Sequence, residues 1–134
     1  MKIVLDTNVL ISGLLRPFSS PGKIVRMVAS GNLQLCYDVR ILSEYKDVLL
    51  RPKFSFDTED VYNLLSQIET CGYAVASAPI VKHLPDVDDE PFLEVAIAGK
   101  AKYLVTGNSR HYLVSNQQGI TVLSPTEFLN KMRG

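Results

Sequence analysis

The first nine residues constrain the fold most. Lys2-Ile3-Val4-Leu5 is a short apolar run rich in β-branched residues, and it ends on Asp6-Thr7-Asn8, three residue types that favour helix N-caps. A strand therefore runs straight into a helix, and the same alternation repeats along the chain. The spacing predicts a helix over 9–15, stopped by Arg16-Pro17, and another from Pro21 to Gly31 with Ile24, Val25 and Val28 on one face. A strand over 33–37 follows. Asp38 then caps a helix in which Ile41, Leu42, Tyr45, Val48 and Leu49 share a face until Arg51-Pro52. A fourth helix is expected from Asp57 or Thr58 to Gly72, striped by Val61, Leu64, Leu65 and Ile68, and then a strand over 73–76. Residues 77–89, with Pro79 and Pro85, read as a loop, and a fifth helix opens at Pro91. Strands over 102–105 and 120–123 and a capping-box helix from Ser124-Pro125-Thr126-Glu127 complete the order. Strands alternating with helices predict an α/β three-layer sandwich around a mainly parallel sheet of four to five strands.

The 134 residues suit one domain, 1–134, with no repeat, low-complexity segment or linker. Apolar residues make up 46% and charged residues 21%, enough to bury a core without disulfides or a structural metal. Cys36 and Cys71 lack zinc-knuckle spacing and are expected to be core fillers, in keeping with a reducing, cytosolic setting. An acid at position 6 interrupts any leader-like apolar region, and no apolar run approaches the ~18 residues of a membrane span, so no membrane partner is expected. Net charge is zero, which gives nucleic-acid binding no support from bulk balance. The distribution is uneven. Residues 1–53 carry eight basic and four acidic side chains, 54–99 one and nine, and 100–134 five and one. Such asymmetry suits a cation-binding carboxylate cluster beside a phosphate-tracking rim, or merely solvated helix faces.

In an open parallel sheet, ligands collect where the carboxyl ends of strands meet the following loops. Asp6 follows the first strand, Thr106 and Asn108 follow the 102–105 strand, Asp89 opens a helix, and Glu44 lies on the helix after the second strand. Three carboxylates and an amide in one crevice repel one another unless a cation sits among them, and hard oxygen donors suit Mg²⁺ or Mn²⁺. Singly, each residue has a plainer role: Asp6 as a cap, Glu44 as a solvated side chain, Asp88-Asp89-Glu90 as complements to a helix dipole, Thr106-Gly107-Asn108 as a turn. His83 and His111 have no second His or Cys at ligand spacing and are expected in loop or surface roles. No phosphate loop, nucleophile elbow or dinucleotide-binding glycine motif occurs. A haloacid dehalogenase-type phosphatase would use Asp6 as nucleophile, but it needs Asp where Asn8 stands and a Thr ahead of the acidic pair, and is disfavoured.

Ile3-Val4-Leu5-Asp6-Thr7-Asn8-Val9-Leu10, Glu44, Asp89-Glu90-Pro91-Phe92-Leu93-Glu94-Val95-Ala96 and Tyr103-Leu104-Val105-Thr106-Gly107-Asn108 match, in order and spacing, the pattern of PIN domains. The chain resembles the VapC-like toxins of toxin–antitoxin systems in particular. The resemblance implies a Mg²⁺- or Mn²⁺-dependent endoribonuclease, commonly a homodimer, often held inactive by an antitoxin over the acidic cleft. It implies Asp6, Glu44 and Asp89 as metal-binding acids, with Asn108 where many relatives carry a fourth Asp. Asn8 and Thr106 are then expected to orient ligands or water, and Arg16, Arg51 and Lys53 to track the RNA backbone. Glu94 either approaches the cleft or lies on a solvated face, and Asp86 and Asp88 add negative potential without being ligands. The contrasting reading is a module of the same fold that binds nucleic acid or protein without cleaving.

Overall fold

In this computed structural model, which describes residues 1–133 apart from the side chains of 113–117, five strands form one sheet. They are β1 (Lys2–Leu5), β2 (Gln34–Tyr37), β3 (Tyr73–Ala74), β4 (Tyr103–Val105) and β5 (Thr121–Leu123). The order is β3-β2-β1-β4-β5, and every neighbouring pair is parallel. Six helices connect them: α1 (Thr7–Leu15), α2 (Ser20–Ala29), α3 (Val39–Leu49), α4 (Thr58–Cys71), α5 (Glu90–Ala98) and α6 (Pro125–Arg133). Helix α5 lies across β1, β2 and β4, while α2 joins α1, α4 and α6. The expected α/β sandwich is therefore present, with a fully parallel sheet of five strands.

Strand β1 takes the middle because Ile3, Val4 and Leu5 bury both faces completely, the pattern of a strand covered by helices above and below. The edge strand β3 is two residues rather than the four expected. Its partner β2 ends at Tyr37 because Asp38 turns out of the sheet to cap α3, accepting from the Ile41 N–H at 3.0 Å, so the ladder has little left to pair. Ser19 caps α2 and starts it one residue before Pro21, and Asp57 caps α4. The capping box at the head of α6 closes in both directions: Ser124 Oγ accepts from the Glu127 N–H at 3.1 Å, and Glu127 Oε1 from the Ser124 N–H at 2.9 Å.

Besides a 3-10 turn over Pro52–Phe54 between α3 and α4, two segments depart from the sequence reading. The 77–89 loop ends in a 3-10 turn over Val87–Asp89, and Ser109–Gln118, for which the sequence predicts no element, winds into 3-10 turns with a kink at Tyr112. Neither has helical periodicity, and both run directly into the site. Gly13 lets α1 and α2 close tightly, since a Cβ there would stand 2.8 Å from the Pro21 carbonyl oxygen.

Candidate metal centre

Because β1 leads to β2 on one side and neighbours β4 on the other, the chain reverses direction across the sheet between β1 and β4. Open α/β sheets place their ligands at this switch point. Asp6 leaves β1 there, and Thr106 leaves β4 beside it, its hydroxyl donating to Asp6 Oδ2 at 2.9 Å. The Tyr112 hydroxyl donates to the same oxygen at 3.1 Å. Asp6 holds the N-cap position of α1, yet its side chain makes no cap hydrogen bond, so the cap reading fails. Its carboxylate is turned instead toward the sheet edge.

Glu44 arrives from α3, which is pinned against β1 by its next residue: the buried Tyr45 hydroxyl donates to the Leu5 carbonyl at 2.5 Å. The Thr7 hydroxyl donates to Glu44 Oε2. Asp89 comes from the 3-10 turn ahead of α5, and like Asp6 it occupies an N-cap position without capping. Its Oδ2 lies 2.9 Å from His111 Nδ1.

The three acids feel one another's charge, although among the described residues the ligand atoms that gather within 4.8 Å of one another belong to Asp86, Asp89 and His111. Burial raises the Glu44 carboxyl above its ordinary value, the Thr7 hydrogen bond offsets part of that, and the charges of Asp6, Asp88 and Asp89 push it up further. Asp89 is raised first by burial, then by Asp6, with His111 pulling it back and Asp86 adding to the rise. Tyr112 is held far above a normal phenol by burial and by the charges of Asp6 and Asp89, so it is a hydroxyl donor and never a phenolate.

One regularity runs through the site. The hydrogen bonds fall on a single oxygen of each acid, Asp6 Oδ2, Glu44 Oε2 and Asp89 Oδ2. The other three oxygens take none of these bonds, and the Tyr112 hydroxyl also acts on Asp89. No fully buried polar side-chain atom among the described residues lacks a partner. Carboxylates steadied on one oxygen and open on the other are what a hard divalent cation requires. A second donor set overlaps the first: one ligand atom from each of Asp86, Asp89 and His111 lies within 4.8 Å of the others.

The sequence reading stands corrected at several residues. His83 and His111 lie in irregular segments with exposed side chains, as expected, and each also meets an acid: His111 meets Asp89 at 2.9 Å and His83 meets Glu90 at 3.1 Å. Asp86 supplies an atom to the His111 set as well as negative potential. Glu94 neither reaches the cleft nor faces solvent, being buried with Arg40 Nη1 at 2.7 Å and the Ile80 N–H at 3.0 Å. Asn8 does not touch the acids; its Oδ1 accepts from the Gly107 N–H at 3.3 Å and holds the turn after β4. Asn108 reaches the acids through its backbone, donating to Thr106 Oγ1 at 3.1 Å. Arg16, ten residues past Asp6, lies about 15 Å along α1 at its far end. Arg51 pairs with Asp47, and Lys53 lies over the Phe54 ring at 5.0 Å, both on the exposed surface. Cys36 is buried in the core, and Cys71 is half-buried. Thr7 and Tyr112 are the residues the sequence reading missed.

A parallel α/β sheet with buried acids at its switch point defines a class of metal-site folds, and the comparisons narrow it. The PIN domain family model matches residues 2–110, and the chain belongs to that family. PIN domains are generally nucleases that use divalent metals and act on nucleic acid. The uncharacterized protein MJ1680 of Methanocaldococcus jannaschii is 27% identical over 98% of this chain and 91% of its own length. No solved structure matches. Among the described residues, no helix is long and apolar enough to cross a membrane.

Proposed function

We propose that the protein is a Mg²⁺- or Mn²⁺-dependent endoribonuclease, in which Asp6, Glu44 and Asp89 hold the metal. The observation that carries this is the open oxygen on each of the three acids, opposite an oxygen fixed by Thr106 and Tyr112, by Thr7, or by His111. Bound there, the ion supplies positive charge to the scissile phosphate and makes water a stronger nucleophile. The chain's part is to orient. Thr7, Thr106 and Tyr112 are neutral donors, so they fix the carboxylates without neutralising the charge a cation needs. Asn108 brings no charge where many relatives carry a fourth acid, which favours one tightly held ion over two. Hydrolysis is expected to leave 5′-phosphate and 3′-hydroxyl ends.

The family resemblance, rather than the geometry, extends this reading to a cytoplasmic toxin of a toxin–antitoxin pair, acting as a homodimer and silenced by an antitoxin over the acids. The basic side chains Arg16, Arg51 and Lys53 are exposed, Arg51 sharing its charge with Asp47, and are placed to meet RNA phosphates away from the metal. The test is incubation of single-stranded RNA and matched DNA with Mg²⁺, Mn²⁺ or EDTA. RNA cut only with metal, and DNA left whole, supports the reading; RNA intact under every metal overturns it.

A further inference from the structure

Beside the acids runs a cleft of about 420 Å³ lined by Asn8, Val9, Ser12, Pro21, Asn108 and Thr126, together with Gly107 and Pro125. Its size falls within the ~300–1,000 Å³ of small-molecule sites. No charged side chain lines it. That separates it from the cleft of His83, Asp86, Glu90 and His111 on the acidic loop, and from the one flanked by Lys23, Arg26 and Arg133 between α2 and α6. A metal ion would call for carboxylates, and with no cation in the walls a phosphate would have only backbone N–H groups in the first turns of α2 and α6 to meet. Two carboxamides and two hydroxyls among Val9, Pro21 and Pro125 match best a neutral group with both donors and acceptors and flat apolar faces.

The walls are fixed and adjoin the metal centre. Asn8 lies two residues beyond Asp6 and is tied to the Gly107 N–H, while Asn108 follows Thr106, which holds Asp6. On the outer side, the Thr126 hydroxyl donates to Ser20 Oγ at 3.2 Å and joins the first turns of α6 and α2. Asn8 Oδ1 is used, which leaves its amide N–H₂ to donate, and the Asn108 carboxamide takes no hydrogen bond from the described residues. Pro21, Pro125 and Val9 supply apolar walls.

Building on the ribonuclease reading, we infer that this cleft receives the nucleobase adjacent to the scissile phosphate and gives the enzyme its base preference. A carboxamide matches the N6 and N7 edge of adenine, with one donor and one acceptor side by side, so adenine is the base expected there. Asn108 then reads the base with its side chain while its backbone supports Thr106.

Two measurements test this. The first needs no catalysis: side-chain amide signals of Asn8 and Asn108 are followed by NMR in EDTA during titration with the four ribonucleoside 5′-monophosphates and with ribose 5-phosphate. The expected result is saturable shifts led by the adenosine nucleotide and none with ribose 5-phosphate. Equal shifts with ribose 5-phosphate, equal shifts with all four bases, or no shift would overturn the proposal. The second sequences the 5′ ends of products from a random RNA cut by wild type and by Ser12→Ala/Thr126→Val. Wild type is expected to favour adenine at one flanking position, and the double variant to lose that preference by roughly tenfold. An unchanged preference in a variant that still cuts would refute the cleft. RNA uncut by the wild type would strike the ribonuclease reading alone, and the titration would still decide whether the cleft takes a base.

Discussion

Helix α5 and the turn before it carry two kinds of buried acid. Glu90 and Glu94 are 8% and 7% exposed, and Asp89 and Asp6 are 9% and 7% exposed, so burial does not separate them. Their oxygens do. Glu94 spends one on Arg40 and the other on the Ile80 N–H, while Glu90 contacts His83 with both and takes the Leu84 N–H as well. These two acids staple the 77–89 loop onto α5. Asp6, Glu44 and Asp89 each keep one oxygen open, which makes them costly to bury alone and ready for a cation. A buried acid with both oxygens engaged is structural, and one with a single oxygen engaged is a ligand in waiting.

The sharpest way to break that comparison is Asp6→Asn. The variant is expected to fold, because the amide still accepts from Thr106 and Tyr112, while metal-dependent RNA cleavage falls at least a hundredfold, the upper end of what losing an outer-shell contact costs. A folded variant with full activity would remove Asp6 from the centre. Next in size is the response to metal. Glu44 and Asp89 are raised in the folded apo protein, so the folded chain binds protons more tightly than the unfolded one. Their contribution to stability therefore declines as pH rises from about 4 toward neutrality. Free Mg²⁺ or Mn²⁺ at a hundredfold over its dissociation constant is expected to add ~2.7 kcal/mol near neutral pH. Thermal unfolding with EDTA and with each metal measures it, and Asp89→Asn should lose most of the gain.

Glu94→Gln is the opposite case. Arg40 is half exposed and keeps Asp38 at 2.8 Å, so the loss is expected at about 1–2 kcal/mol, well below that for a sealed pair, with the metal-induced rise in Tm unchanged. A lost metal response there would show that stapling acids and ligand acids are coupled. The smallest effect is expected from Tyr112→Phe, which leaves Thr106 on Asp6 Oδ2 and should weaken Mn²⁺ binding roughly tenfold by calorimetry.

The acids at strand ends were legible because two periodicities locate strand ends and helix starts. Glu94 was legible in principle: five residues past Asp89 places it about 140° around a helix with 3.6 residues per turn, so the two do not share a face. Thr7 was hidden among three cap-forming residues, since its partner depends on how α3 docks. His111 and Tyr112 lie in 3-10 turns with no repeating pattern, and their positions follow from a kink at Tyr112, where φ is −116°. The density of polar residues after Thr106 was the only available signal.

The hydrogen bonds from Thr106 and Tyr112 to Asp6 span 100 and 106 residues of sequence. The central strand is synthesised first, but its acid is steadied by groups made a hundred or more residues later. Closing so long a loop is paid for only when the whole sheet assembles. A partly translated chain therefore carries Asp6 without its supports, and whatever chemistry the site performs begins after the last strand has left the ribosome.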